Sequence, residues 1–366
     1  MTHRALGATA PLALAALLAA CGGSQPGSPQ PEVETELPPD RFSSRRVLGD
    51  LEMLLAFQAD GASEESLSAA RRRIRGALED ARIAVDTVRT LDVEDAAGTR
   101  EYEHLVATLP GDASDRFVLV APLDGVAGEA EEAAEELSGA ALLVELASVF
   151  AYRDFPYTLQ FVWIDEGRGS GEGTAQTDWR GSRSLARTWA DEGRLDDIRL
   201  LVAVNRVCGT PLEIARDLGS HRNHRDQLFR TARALGRGSA FPTDRPFARV
   251  MSSHVAFQRA GVRAVVAIEG MEPEAPAAVP GEPEVERPLC NPTSVDTAGL
   301  VLMEGLDRVG ERLAKIDRFA RVPQLQEPEP GPQPEPAAES GADGDAPEPV
   351  AEPAVAPGGA EADAAP

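Results

Sequence analysis

The chain has 366 residues, with 36 Lys plus Arg against 60 Asp plus Glu, and a formal net charge of −24. So acidic a protein is not expected to bind nucleic acid, because phosphate binding needs a basic surface. The 29 prolines and 33 glycines exceed what one compact domain uses, so part of the chain is expected to be linker.

The first twenty residues are typical of an export signal. Arg4 precedes an apolar run from Ala5 to Ala20, which is short for a membrane span and suits the core of a signal peptide. The run ends in Leu18-Ala19-Ala20-Cys21, which resembles the lipobox of bacterial lipoproteins. The resemblance implies a mature chain that begins at an acylated Cys21 and stays on the membrane, and Gly22 favours the outer membrane facing the periplasm. The alternative is an ordinary secretory signal in which Cys21 is incidental.

The composition divides the mature chain into three parts. Residues 21–41 are predicted to be a flexible stalk, and residues 42–321 form one large α/β domain. Residues 322–366 are predicted to be a disordered acidic tail. From Pro323 to Pro366 there are ten Asp or Glu, eleven Pro and no Lys or Arg, so this segment cannot offset the entropy of ordering.

Helices and strands alternate along the predicted domain. Ser63 is a candidate N-cap for a helix whose apolar face is Leu67, Ala70, Ile74, Leu78 and Ala81. Strands are predicted at His104 to Leu109, Arg116 to Ala121, Thr158 to Ile164, Ile198 to Val204 and Val262 to Ile268. Further apolar helix faces occur around Leu143 to Phe150, Leu185 to Trp189 and Leu302 to Ile316. This order predicts a mixed, largely parallel sheet between two layers of helices.

Polar residues follow three of the predicted strands, where ligands collect in parallel sheets. They are Asp124, then Asp165-Glu166-Gly167-Arg168, and then Asn205-Arg206. With "EELSGAALLVELA" from Glu135, "DWRGSRSLARTW" and "RVMSSHVAFQRAGVRAVVAIE", this order resembles the zinc-dependent exopeptidase family of bacterial leucyl aminopeptidases and glutaminyl-peptide cyclotransferases. The long gap before "DWRGSRSLARTW" is more like the cyclotransferases. The resemblance implies a three-layer α/β/α sandwich and, in intact members, a zinc site.

The first family donors are missing at the matching positions. Pro122 replaces the first His, so Asp124, which orients that His in the family, has nothing to orient. The bridging Asp corresponds to Glu135. The family's Glu-Glu pair of general base and ligand falls on Gly167 and Arg168, and a shift by one residue places Glu166 at the base position but leaves Gly167 as the ligand.

The later donors are missing too. Asn205 stands where the family has Asp, Ser253 replaces the Asp of the Asp-His pair while His254 is kept, and no histidine follows His254. Even the one-zinc cyclotransferase site loses two of its three donors. We therefore expect no metal and no cofactor, and we expect Arg168 to lie near Glu135 in place of the cation.

Other polar residues offer alternative sites. His221 and His224 have a spacing that one helical turn could use for a metal, although the arginines beside them indicate a polar loop or helix start. Glu172 could reach the former metal site from "GRGSGEG". The Ser252 to His254 segment is interpreted as a helix cap rather than as a serine nucleophile with its base.

Three functions remain open on the sequence. The first is a catalytically inactive relative of the zinc exopeptidases, anchored to the cell envelope through Cys21, that binds a ligand or protein partner. The second is an active metallo-aminopeptidase or glutaminyl-peptide cyclotransferase whose zinc is held by substitute donors such as Glu135, Glu166, Glu172 and His254. The third is a structural envelope lipoprotein.

Cys208 and Cys290 form a candidate disulfide. In the resembled family, the strand end near Cys208 and the closing loop at Cys290 border the same pocket. An exported chain meets oxidising conditions, so the pair could be bonded. Two separate buried thiols are the alternative.

The lipobox generates a direct prediction. Cys21→Ala should release the protein from the membrane fraction or leave it unprocessed, because the acylated residue is lost. Fractionation of cells with a processing assay by mass spectrometry measures this. A variant that stays in the membrane fraction in its processed form would contradict the predicted anchor.

Overall fold

A six-stranded sheet forms the centre of the structure, a computed structural model that describes residues 38–58, 63–94, 98–125, 130–167, 179–271 and 288–320. The strands are β1 (Val85–Glu94), β2 (Gly98–Leu109), β3 (Ala113–Pro122), β4 (Tyr157–Ile164), β5 (Ile198–Asn205) and β6 (Val265–Glu269). The helices are α1 (Ser44–Phe57), α2 (Glu64–Asp80), α3 (Ala130–Phe150), α4 (Arg180–Asp191), α5 (Arg222–Ala234), α6 (His254–Ala260) and α7 (Pro292–Ala320).

The sheet is mixed, with a parallel half that carries the strand-end residues. Its order is β1-β2-β4-β3-β5-β6. The β1–β2 and β2–β4 pairs are antiparallel, whereas β4–β3, β3–β5 and β5–β6 are parallel. The carboxyl ends of β4, β3 and β5 therefore lie side by side at one edge.

Apolar side chains alternate between two cores along the central strands, as expected for a sheet buried on both faces. In β3, Phe117 and Leu119 pack in the larger core with α1, α2, α3, α5 and α7, and Val118 and Val120 pack in the smaller core with α4 and α6. This confirms the predicted α/β/α sandwich.

Local sequence explains where α2 begins. Its N-cap, Ser63, accepts a hydrogen bond from the Ser66 N–H at 3.2 Å through its side chain, as the sequence predicted. Glu64 and Glu65 lie in the first turn, where carboxylates interact favourably with the helix dipole.

The structure corrects some predicted boundaries. The strand predicted from Val262 begins only at Val265, because the Val262 N–H bonds to the Phe257 carbonyl and belongs to the end of α6. Gly261 closes that helix with a φ of 118°, a left-handed conformation that suits glycine. The elements α1 and β1 were not predicted, and β2 begins earlier than His104.

Several sequence-based predictions lie outside the described residues. They are the signal peptide, the lipidation residue Cys21, most of the stalk and all of the acidic tail. Within the described residues, none of the helices combines the length and the hydrophobicity that a membrane span needs.

Gly139 allows α3 to pack closely on β5. A Cβ atom at this position would lie 2.2 Å from the Val204 carbonyl oxygen, whereas a Cβ at Gly76 in α2 would meet nothing within 4 Å. Gly139→Ala should lower the free energy of unfolding by about 1–3 kcal/mol through overpacking. Gly76→Ala is the matched control and should raise it by about 0.5–1 kcal/mol, because alanine favours helix. Urea unfolding measures both changes, and equal effects would contradict the close approach.

Candidate functional site

Buried acidic side chains gather at the carboxyl ends of β4, β3 and β5. Asp124 lies two residues after β3, Asp165 and Glu166 directly follow β4, and Asn205 ends β5. All four are almost fully buried. The amino-terminal half of α3 adds Glu136, which is buried, and Glu135, which is half-buried.

Glu166 is held in place by the starts of two helices. Its Oε2 accepts a hydrogen bond from the Ser182 N–H at 3.0 Å, and its Oε1 accepts hydrogen bonds from the Ser182 hydroxyl and, at 2.9 Å, from the Ser253 hydroxyl. The Glu166 N–H donates to Asp124 Oδ1 at 3.0 Å. The carboxylate thus fastens β4 to α4 and α6, in bonds that span 16 and 87 residues.

Gly181 explains how Ser182 reaches this carboxylate. A Cβ atom at Gly181 would lie 1.7 Å from the Asp165 carbonyl oxygen, so only glycine lets α4 begin this close to the end of β4. The carboxylate then sits at the first turn of α4, where the N–H groups and the helix dipole stabilise negative charge.

Asp165 forms a buried ion pair with a helix of the opposite layer. Its Oδ2 lies 2.7 Å from Arg71 Nη2, and both side chains are buried. It also accepts N–H hydrogen bonds from Glu103 and Gly167. Burial, reinforced by the charge of Asp124, raises the pKa of Asp165 to about 6.

His104 is a neutral buried partner of the same strand end. Its Nδ1 accepts the Asp165 N–H at 3.3 Å, so the ring proton lies on Nε2, which donates to the Thr90 hydroxyl at 3.0 Å. Burial, and secondly the charge of Arg71, lowers the pKa of His104 to about 3. The ring is therefore a fixed hydrogen-bonding element and not a proton carrier near neutral pH.

At the end of β5, an arginine lies among carboxylates. Arg206 Nη1 is 3.1 Å from Glu136 Oε1, with side chains only 12% and 3% exposed. Asn205 Nδ2 donates to Glu136 Oε2 at 3.4 Å and to Glu269 Oε1 at 3.2 Å. Burial raises the pKa of Glu135, and the Arg206 charge and the Cys208 N–H oppose that rise. Arg206 thus supplies positive charge to both Glu135 and Glu136.

His254 faces away from Glu166. Its Nδ1 is 2.9 Å from the Ser252 hydroxyl, and its Nε2 is 3.6 Å from Asp217 Oδ2. Burial opposes ionisation of Asp217, but contacts with His254 and hydrogen bonds from Val250, Ser220 and Gly219 hold its pKa below the usual range.

The interpretation of Ser252 to His254 as a helix cap agrees with the position of Ser253 in the structure but not with its side-chain bonding. Ser253 occupies the N-cap position of α6 but makes no side-chain capping bond there. Its hydroxyl donates to Glu166 instead, because the buried carboxylate is a stronger acceptor within reach. Asp124, for which the sequence offered no histidine to orient, accepts a hydrogen bond from the Glu166 N–H.

Cys208 and Cys290, the two cysteines for which the sequence offered a disulfide, are bonded, with Cα atoms 4.6 Å apart. The Asn291 N–H also donates to the Cys208 carbonyl at 3.0 Å. These links fix the segment after β5 against the start of α7, beside the Arg206 cluster.

The donor set does not fit a zinc ion. Zinc sites in proteins need three or four donors that converge on one point. Within the described part of the chain, no group of three or more His, Cys, Asp or Glu side chains is placed to hold a metal. Glu166 is bonded to serines, Asn205 is neutral, and the guanidinium of Arg206 lies beside the carboxylates of α3. Arg168 and Glu172 lie outside the described residues.

Within the described residues, the candidate pair His221 and His224 does not belong to a metal-binding group. The rings of His221 and His224 are 4.5 Å apart, but Arg312 Nη2 approaches His224 Nδ1 at 3.4 Å, which disfavours a bound cation. Burial, then the His221 and Arg312 charges, lowers the pKa of His224 to about 4.

A surface cavity of about 760 Å³ lies between α1, α2 and α3 and is lined by none of the strand-end residues.

No protein-family model matches the sequence, and no curated protein matches it. Solved structures do. A glutaminyl cyclase from an Acidobacteriales bacterium matches with a TM-score of 0.61 at 19% identity, covering 77% of this chain and all of that one. The fold is that of glutaminyl cyclases and zinc exopeptidases.

Two further structures agree with this likeness. The Porphyromonas gingivalis glutaminyl cyclase matches with a TM-score of 0.59 at 15% identity, and a Zn-dependent exopeptidase from Parabacteroides distasonis with 0.59 at 14%. Each match covers 73% of this chain and 98% of the other. Identities this low establish the fold alone.

Sequence reasoning located the strand-end residues but missed their partners. Glu136, Ser182 and Arg71 were not singled out, and Arg206 was noted only as a strand-end residue. The signal for Arg206 was its place directly after Asn205, where a charged side chain must enter the same edge of the sheet.

The raised pKa of Asp165 predicts a pH dependence. The folded-state pKa near 6 exceeds the unfolded value of 3.8, so the stability gained from the protonated form is complete below pH 3.8 and lost as the pH rises through 6. The free energy of unfolding of the natural protein should therefore fall relative to Asp165→Asn over this interval, and level off above it. Urea unfolding of both proteins across this pH range measures the difference. His104 is present in both proteins, so its own titration contributes to both curves. A difference that rises with pH would contradict it.

Proposed function

We propose that the chain is a membrane-anchored lipoprotein of the bacterial cell envelope whose glutaminyl-cyclase-like domain no longer catalyses and instead binds a ligand or protein partner. The observation that carries the proposal is the state of Glu166. The carboxylate nearest to the family's general-base position is bonded to Ser182 and Ser253, and so is committed to holding two helices.

A general base must be able to approach and accept a proton from the reacting group. Glu166 is 4% exposed and accepts at least three hydrogen bonds, so a proton on it would break bonds that hold α4 and α6. Gly167, which follows it, has no side chain to act as the neighbouring ligand. Neither half of the family's Glu-Glu pair supports catalysis here.

Charge compensation supports the same conclusion. In a zinc enzyme the metal both neutralises carboxylates and activates water. Arg206 can neutralise Glu136 and Glu135, but a guanidinium has no open coordination position and does not give up its proton in a protein. In the proposed site, Arg206 therefore neutralises carboxylates as a metal would but does not activate water.

One observation favours the alternative of an active glutaminyl-peptide cyclotransferase or aminopeptidase with substitute ligands. Glu135 is half-buried and burial raises its pKa, which is a property of general bases. This candidate needs a metal whose further donors would include Glu172, outside the described residues.

Metal content and turnover test the proposal together. The purified full chain, exposed to zinc and then dialysed, should retain far less than stoichiometric zinc. It should neither cyclise peptides with amino-terminal glutamine nor hydrolyse aminoacyl substrates, because the ligands and the base are missing. A bacterial glutaminyl cyclase treated in the same way is the positive control.

Arg206→Met serves as the matched variant, since it removes the charge and keeps a long side chain. It should also be inactive, because removing the cation does not restore the missing donors. Stoichiometric zinc in the natural protein, or turnover that a chelator abolishes, would refute the inactive site and support the alternative.

A further inference from the structure

A short two-stranded ribbon lies beyond the β6 edge of the sheet. Asp217 pairs with Ala248, the Leu218 N–H donates to the Ala248 carbonyl at 2.8 Å, and the Ala248 N–H donates to the Arg216 carbonyl at 3.0 Å. Ile214 pairs with Gly270, next to β6, which connects the ribbon to the sheet.

Side chains alternate across this ribbon. Asp217 and Val250 are buried, and the Val250 N–H donates to the Asp217 carboxylate at 3.0 Å. The residues that alternate with Asp217 and Val250 along the two segments are wholly or partly exposed. This is expected because successive side chains of an extended chain point to opposite sides. They are Arg216, Leu218, Phe247, Arg249 and Met251, which we name the arginine–aromatic face.

The apolar members of this face are unusually accessible. Leu218 is 59% exposed, Phe247 45% and Met251 44%. The ring of Phe247 nevertheless has cation–π contacts that favour its present position, because the guanidinium carbon of Arg216 lies 4.0 Å from the ring centroid and that of Arg225 lies 4.8 Å away. A large side chain that is held rigidly while exposed loses little entropy when it is buried against a partner.

The face lies in a basic stretch of an acidic protein. Residues 206–263 contain eleven arginines and only four carboxylates, whereas the whole chain carries −24. Arg249, Arg259 and Arg263 are exposed and form no ion pair within the described residues. Arg225 joins the face to α5, whose exposed surface adds further arginines: Arg222, Arg230 and Arg233.

We propose that the arginine–aromatic face docks on an anionic lipid surface. Apolar side chains interleaved with arginines suit the membrane interface, where the apolar groups enter the headgroup boundary and guanidiniums bind lipid phosphates. An acidic protein can approach such a surface only through its basic part, so the charge distribution also sets the orientation. The inference goes beyond the proposed function and holds whether or not the cleft is catalytic.

The expected anchor places the face within range of the bilayer. The flexible stalk that the sequence predicts for residues 21–41 would have a root-mean-square reach of about 25 Å, which would keep a tethered domain close to lipid at high effective concentration. A docking face of modest intrinsic affinity is then sufficient. Docking of the face is measured as lipid contact at residue 247, so it is distinguishable from binding of the anchor to the same vesicles.

Tryptophan fluorescence tests the contact. Phe247→Trp in the full chain is mixed with phosphatidylcholine vesicles, with or without phosphatidylglycerol as a third of the lipid, that carry brominated acyl chains as quenchers. We expect quenching in the anionic vesicles, a marked loss at high salt, and little in the neutral ones. Tyr152→Trp is the matched control, since Tyr152 is 56% exposed beside the α1–α3 cavity and should not be quenched.

A charge variant separates docking from adventitious contact. Adding Arg249→Glu to the Phe247→Trp protein should weaken vesicle partitioning by about fivefold or more, because each arginine near an anionic surface contributes about a factor of five. Arg249 has no ion pair to lose in the described structure, and thermal unfolding checks that the variant folds.

Three results would overturn the proposal. The first is no quenching of the Phe247→Trp protein by anionic vesicles. The second is quenching that is equally strong with neutral vesicles and that Arg249→Glu does not change. The third is quenching of the Tyr152→Trp control as strong as that of Phe247→Trp. Self-association of the natural chain without vesicles, abolished by Phe247→Ala, would assign the face to a protein contact and would equally overturn lipid docking.

Discussion

Buried carboxylates at the carboxyl edge of the sheet must be compensated, and that constraint organises this half of the molecule. A buried charge without a partner costs several kcal/mol, on the order of the whole stability of a domain. Three of these carboxylates have side-chain partners: Arg71 for Asp165, Arg206 for Glu136, and two serines for Glu166. The partners come from α2, the end of β5, α4 and the start of α6, so compensation also joins the layers.

A metalloenzyme binds its compensating cation from solution, whereas in the site proposed here the cation beside Glu136 is the guanidinium of Arg206. The difference has a chemical consequence. A bound metal can hold water or substrate at an open coordination position, whereas a guanidinium has no coordination position. Ser253, where the resembled family has Asp, removes one more negative charge and converts repulsion with Glu166 into a hydrogen bond. Together, these replacements are mutually consistent for a site without a metal.

The sequence predicts the place of the site better than its contacts. Strands with carboxyl-terminal polar residues located Asp124, Glu166 and Asn205, because adjacent parallel strands end at one edge. It could not tell that Arg206 pairs with Glu136 while also acting on Glu135, since that depends on how Gly139 seats α3 against β5. Serine is a common helix-cap residue, but the hydroxyl of Ser253 donates to Glu166, which lies 87 residues away in the sequence. The strand β1 was not predicted because its many polar residues obscure the alternation of apolar and polar side chains that indicates a strand.

Thermal unfolding of the full chain with added zinc, and separately with a chelator, tests the central claim most directly. A ligand that binds only the folded state raises the unfolding temperature, and the rise increases with the logarithm of the ligand concentration divided by its Kd. The account predicts the same unfolding temperature in buffer, in zinc and in chelator, because Arg206 and the serines already compensate the carboxylates. An unfolding temperature that rises with zinc and falls with chelator would contradict it.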